Sequence, residues 1–182
     1  VGATNITFNT LTITGCTTAV QMLGGSAVFN TAVVTTTTSL VFDTTATTAA
    51  GGNGTITCTN SKFYSNSGTV ASVKGYSELV LNRCSVYSNT NPKLMDVTAS
   101  VNGRTQNLTL ANSLLYKNSG TIQQNNSNAT VKIFNTTLDQ MTASKTFECI
   151  AGNATVQNSI FSNCVAALSQ SGGSSRARVD SM

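Results

Sequence analysis

One pattern of alternating residues returns along this chain at a spacing that few architectures can use. Over 56–66 it reads Ile56, Cys58, Asn60, Ser61, Phe63, Tyr64 and Asn66. Over 79–89 the matching positions are Leu79, Leu81, Arg83, Cys84, Val86, Tyr87 and Asn89, and over 108–118 they are Leu108, Leu110, Asn112, Ser113, Leu115, Tyr116 and Asn118. Shorter copies occupy 131–138 and 154–161, and weaker ones lead from Ile6 to Ile13 and from Ala27 to Val34. The apolar anchors are therefore Ile13, Val34, Phe63, Val86, Leu115, Leu138 and Phe161, separated by 21, 29, 23, 29, 23 and 23 residues. Such a period fits a coil in which each circuit returns the chain to the same place while loops swell outward. The longer steps hold the extra residues, within 46–54 and 89–104.

Within each copy apolar residues alternate with Thr, Asn or Lys, the period-2 signature of a half-buried strand. Helical spacing is absent, and β-branched Thr, Val and Ile suit a pleated surface. Asn60, Asn112, Asn135 and Asn158 follow the first strand of four copies, each succeeded by a small hydroxyl residue. Asn tolerates the bent backbone of a strand corner, and these four are expected to form an inner amide ladder, interrupted at Thr10, Thr31 and Arg83. A β-sandwich is the structural alternative, since short alternating strands suit it too.

These rungs resemble the right-handed parallel β-helices, the pectate-lyase-like solenoids, and are particularly similar to the loosely repetitive β-helix regions of secreted and cell-surface proteins. The resemblance covers about residues 4–168. It implies an all-β, right-handed parallel β-helix of about seven rungs, with 1–168 as the domain and 169–182 as a flexible Gly/Ser-rich tail or linker. It also raises the question of catalysis, because many β-helices of this kind cleave polysaccharides with clustered Asp residues on one exposed sheet.

Composition bears on that question. The chain contains no His, six carboxylates and ten basic residues, with a net charge of +4. Imidazole-based triads and zinc sites are thereby excluded. Asp43 and Asp96 lie at similar offsets from their anchors but two rungs apart, and Asp139 falls elsewhere. No pair is placed for two-carboxylate catalysis, so no catalytic, cofactor or metal residue is assigned. Basic residues are spread along the chain rather than gathered into a stripe, which speaks against nucleic acid. No run of apolar residues is long enough to span a membrane. Thr10-x-Thr12-x-Thr14, Thr35-x-Thr37 and Thr55-x-Thr57-x-Thr59 are expected to align hydroxyls on one face, like the arrays of ice-binding solenoids, although the array fails at Asn82, Lys132 and Gln157.

Three kinds of surface or covalent site remain. Asn-x-Ser/Thr sequons at Asn5, Asn53, Asn107, Asn125, Asn128 and Asn153 are glycosylation candidates, with Asn135 expected to stay unmodified on the inner ladder. Tyr64, Tyr87 and Tyr116 recur just after the anchor and are expected to form an outward stripe, able to stack on sugar rings or pack against another chain. Of the five cysteines, Cys58–Cys84 and Cys149–Cys164 are the expected disulfides, leaving Cys16 over. The expectation is a non-catalytic extracellular or cell-surface structural or adhesive β-helix, such as a glycosylated subunit of a fibre assembled by stacking. Its partners would be a stacked second copy, or matrix carbohydrate or protein. The alternatives are a carbohydrate-active β-helix of lyase or hydrolase type, or an ice-binding solenoid.

Overall fold

The structure is a computed structural model and describes residues 5–22, 24–44, 54–74, 77–97, 105–172 and 175–180. Every described strand pairs in parallel with a strand about one period away, so the chain winds as an all-β parallel solenoid of about seven turns. The short strands Thr12–Thr14, Val33–Thr35, Lys62–Tyr64, Ser85–Tyr87, Leu114–Tyr116, Thr137–Asp139 and Ile160–Ser162 form a seven-stranded sheet. Its register places Ile13, Val34, Phe63, Val86, Leu115, Leu138 and Phe161 one above another. This is the second of three faces. The first begins with Asn5–Asn9 and Gly25–Asn30, and the third with Thr18–Gln21 and Leu40–Asp43. Thr121–Phe134 and Phe147–Gln157 run without a break from the third face of one turn onto the first face of the next. They join those two faces into one thirteen-stranded sheet.

Alternation within each strand sends Leu79, Leu81, Leu108, Leu110, Val131 and Ile133 inward, and all are fully buried. Phe42 and Phe63 meet edge to face at 5.2 Å inside the coil. A turn must bend sharply on both sides of its short strand, and two left-handed residues per turn make those bends. Before the strand they are Thr10, Thr31, Asn60, Arg83, Asn112, Asn135 and Asn158; after it, Gly15, Thr36, Ser65, Ser88, Lys117, Gln140 and Asn163. Asn visits this region at little cost, whereas a β-branched residue there is strained. Exposed Thr31 (φ 59°) is such a case. Thr31→Asn, which copies Asn60 of the next turn, is expected to stabilise the protein by about 1 kcal/mol, seen as a melting point higher by about 3 °C.

The two columns just inside these bends carry the polar core. In the first, Oγ of Ser61 accepts from Ala32 N (2.9 Å), Ser113 Oγ from Cys84 N (3.1 Å) and Ser159 Oγ from Thr136 N (3.3 Å). Each hydroxyl donates in turn to the carbonyl two residues before it. The second column runs Cys16, Thr37, Asn66, Asn89, Asn118, Met141 and Cys164, each three residues past its anchor. Asn66 Nδ2 donates to Asn89 Oδ1 and Asn89 Nδ2 to Asn118 Oδ1, both at 2.9 Å. The inner ladder is therefore Asn66–Asn89–Asn118. Asn60, Asn112, Asn135 and Asn158, expected there, are exposed at the left-handed corner. They face outward because the bend falls on the asparagine itself, although Asn135 Nδ2 still reaches Asn112 Oδ1 (3.1 Å).

Two further expectations are corrected. Two strands of the segment read as a tail continue the coil: Leu168–Gln170 pairs with Phe147–Cys149, and Ser175–Asp180 pairs with 152–157. All five cysteines are free thiols. Cys84 Sγ points at the Cys58 carbonyl (3.4 Å), while Cys149 Sγ points at Gln124 Oε1 (3.7 Å) and Cys164 Sγ at the Ser162 carbonyl of its own corner (3.3 Å) and the Leu138 carbonyl of the turn before (3.5 Å). The expected partners occupy different columns, so Cys58, Cys84, Cys149 and Cys164 form no bridge. Burial raises the Cys84 thiol to about 11 and pushes Cys58 well above its ordinary value, with Cys84 adding to the effect. Neither sulfur is a ready thiolate.

Candidate functional site

The second face carries two outward columns, one on each side of the buried anchors. The column after the anchor reads Thr14, Thr35, Tyr64, Tyr87, Tyr116, Asp139 and Ser162. Strand register brings the three expected tyrosines together as a continuous stack. Tyr64 and Tyr87 lie with ring centroids 4.9 Å apart and planes within 6°; Tyr87 and Tyr116 lie at 4.8 Å and 11°. These distances match the spacing of neighbouring strands, so the sheet itself fixes the stack. All three rings are half-buried. Desolvation, followed by the phenols of Tyr116 and Tyr64, raises the Tyr87 hydroxyl above its usual range, which keeps it a neutral donor. The ring faces are covered by one another, so the stripe offers edges and hydroxyl groups. Stacking of a sugar on the face of the central ring, expected from sequence, is blocked.

Asp139 ends the stack. It accepts from Ser162 Oγ and from Asn163 Nδ2 (2.8 Å), and these bonds, the Ser162 bond foremost, hold its carboxyl below the usual carboxylate range.

The third face presents a second polar column, Gln21, Asp43, Ser72, Asp96, Gln123, Glu148 and Ser169. It brings Asp43 and Asp96 into one line and adds Glu148, which sequence reasoning did not connect with them. The acids occupy alternate rungs, about 10 Å apart along the axis. Gln21 Nε2 donates to Asp43 Oδ2 (3.2 Å). Asp96, 6% exposed, has Lys74 and Lys93 ammoniums each 3.6 Å from Oδ2, while its buried Oδ1 has no hydrogen-bond partner among the described residues. Glu148 is bonded by Lys145 and by Gln123 Nε2 (2.9 Å); these bonds, Lys145 first, lower its carboxyl from the ordinary value.

The remaining expected sites lie apart. Asn5, Asn107 and Asn153 share one outward column of the first face, and Asn125 and Asn128 are exposed in the strand that rounds the corner. Asn53 lies outside the described residues. The threonine runs do not form one array: Thr12, Thr14 and Thr35 lie on the second face, Thr55, Thr57 and Thr59 on the first, and Thr37 is buried. Apolar cavities mark the two ends of the described coil, one lined by Ile6, Phe8 and Ile13, the other by Phe147, Leu168 and Val179. Among the described residues no three metal-ligating side chains gather, and no helix is long and apolar enough to cross a membrane.

No protein-family profile, no curated protein and no solved structure compared with this chain matches it.

Proposed function

We propose that this chain is a non-catalytic structural and adhesive module of a secreted or cell-surface protein. Its coil is taken as right-handed, like the pectate-lyase-like solenoids its repeats resemble, and the second face is its contact surface. The tyrosine stack carries the reading. A row of rings already locked by the sheet loses little side-chain entropy when a partner arrives. Tyr combines apolar area with a hydroxyl, which suits it to interfaces. The setting is a sheet of three-residue strands whose two outward columns flank the buried anchors.

A second reading, a carbohydrate-active β-helix, is favoured by the buried, unpartnered Oδ1 of Asp96 in a line of carboxylates. Against it stands the state of Glu148, held ionised by Lys145 and Gln123, where a general acid needs a raised value.

Binding of the labelled protein to immobilised extracellular-matrix material separates the two readings. The expected result is retention that falls by about tenfold or more when Tyr64, Tyr87 and Tyr116 are all changed to Ser, with the circular dichroism spectrum unchanged. Equal retention by that variant overturns the proposal. Cleavage of pectate or alginate that disappears in Asp96→Asn would establish the second reading instead.

A further inference from the structure

The basic side chains among the described residues divide into two groups. Lys74, Lys93 and Lys145 are committed to carboxylates on the third face, and Arg178 to Asp180. Lys62, Arg83, Lys117, Lys132 and Arg176 are exposed and, among the described residues, form no ion pair. Lys132 and Arg176 lie on the first face, whereas Lys62, Arg83 and Lys117 belong to the turns that carry the tyrosines. Lys62 sits two residues before Tyr64 on the same strand, so both project from the same side of the sheet. Arg83 makes the left-handed bend leading into Ser85–Tyr87, and Lys117 makes the one that follows Tyr116. Three successive rungs thus each provide one cation and one phenol. Lys62 and Arg83 lie on one side of the stack and Lys117 on the other.

We infer that this track binds a sulfated polysaccharide extended along the coil axis. The inference rests on the adhesive reading above and names the partner class of the same surface. The rung repeat is close to the length of one sugar ring in an extended chain, so successive sugars would meet successive tyrosines. Sulfate esters stay ionised at every relevant pH and offer several oxygens to ammonium, guanidinium and phenol donors. Cations on both sides of the stack suit groups projecting from both edges of a sugar chain. Single-stranded nucleic acid fits poorly, because its bases need free aromatic faces and these rings cover each other's. Asp139, next in the column after Tyr116, sets the end of the track by repelling further anionic groups.

The test compares dextran sulfate with unsulfated dextran by titration calorimetry on the intact chain. Dextran sulfate should bind and dextran should not, and the log–log dependence of affinity on salt should have a slope of about −2 to −3, as three released counterions require. Reversing all three charges (Lys62→Glu, Arg83→Glu, Lys117→Glu) should weaken binding roughly a hundredfold in 0.1 M salt. Lys132→Glu, on the first face, should leave it unchanged. Tyr87→Phe, which retains the stack but deletes the central hydroxyl, should weaken binding a few-fold. An equal loss in Lys132→Glu, or equal binding of polygalacturonate with its carboxylates, would overturn the assignment. Matrix binding that is lost with the tyrosines but survives the triple reversal would overturn this inference and leave the adhesive reading in place.

Discussion

Changing Asn89 to alanine is expected to destabilise the protein by about 4 kcal/mol. Both of its amide hydrogens are donated, to Phe63 O (3.1 Å) and Asn118 Oδ1 (2.9 Å). Its Oδ1 accepts from both the backbone N (3.0 Å) and Nδ2 (2.9 Å) of Asn66. Alanine would strip the side-chain partner from Asn66 N, Asn66 Nδ2 and Phe63 O at a site from which water is excluded, each costing about 1–3 kcal/mol before relaxation, while Asn118 Oδ1 would keep only the bond from the residue 89 backbone N. Urea unfolding of Asn89→Ala beside wild type measures this. A loss below about 1 kcal/mol would mean that the amide column is not a structural element.

Phe63→Ala is expected to cost a similar amount, about 3–5 kcal/mol, through an apolar route. The ring is wholly buried in a middle turn, with Val34 and Val86 above and below it and Phe42 meeting it edge to face. Neighbours held by their own rungs on every side cannot collapse into the space. The same change at Phe161, the partly buried anchor of the last complete turn, should cost less than half as much. Denaturant midpoints of the two variants check the gradient. Equal losses would contradict a core built turn upon turn, in which each layer depends on both neighbours.

The anchors were legible because a residue directed inward on every circuit must be apolar, and seven such residues recur at related spacings. The tyrosine column was legible for the same reason, one position further on. Asn66, Asn89 and Asn118 were part of the visible repeat, yet their burial was not. Counting odd and even positions from an anchor works within a strand but fails across a left-handed bend, which resets the direction of the next side chain. The residue at the bend points out, as Asn112 does, and the one just past it points in, as Asn118 does. Both are asparagines, so composition could not separate them. The last strand was hidden differently. Arg176, Ala177, Arg178 and Val179 alternate as a strand should, but the Gly and Ser before them suggested a tail. The acidic column joins Asp43, Asp96 and Glu148 across steps of unequal length, which only the register can align.

The hydrogen bonds of the two corner columns pass from each turn to the one next to it and no further. A scaffold assembled on that plan has no intrinsic length. Duplication of one circuit would lengthen the rod by one step and add one more place to each surface row, with the old contacts intact on either side. Reach and number of contact points would then grow in proportion to the genetic material, without any redesign of the interior.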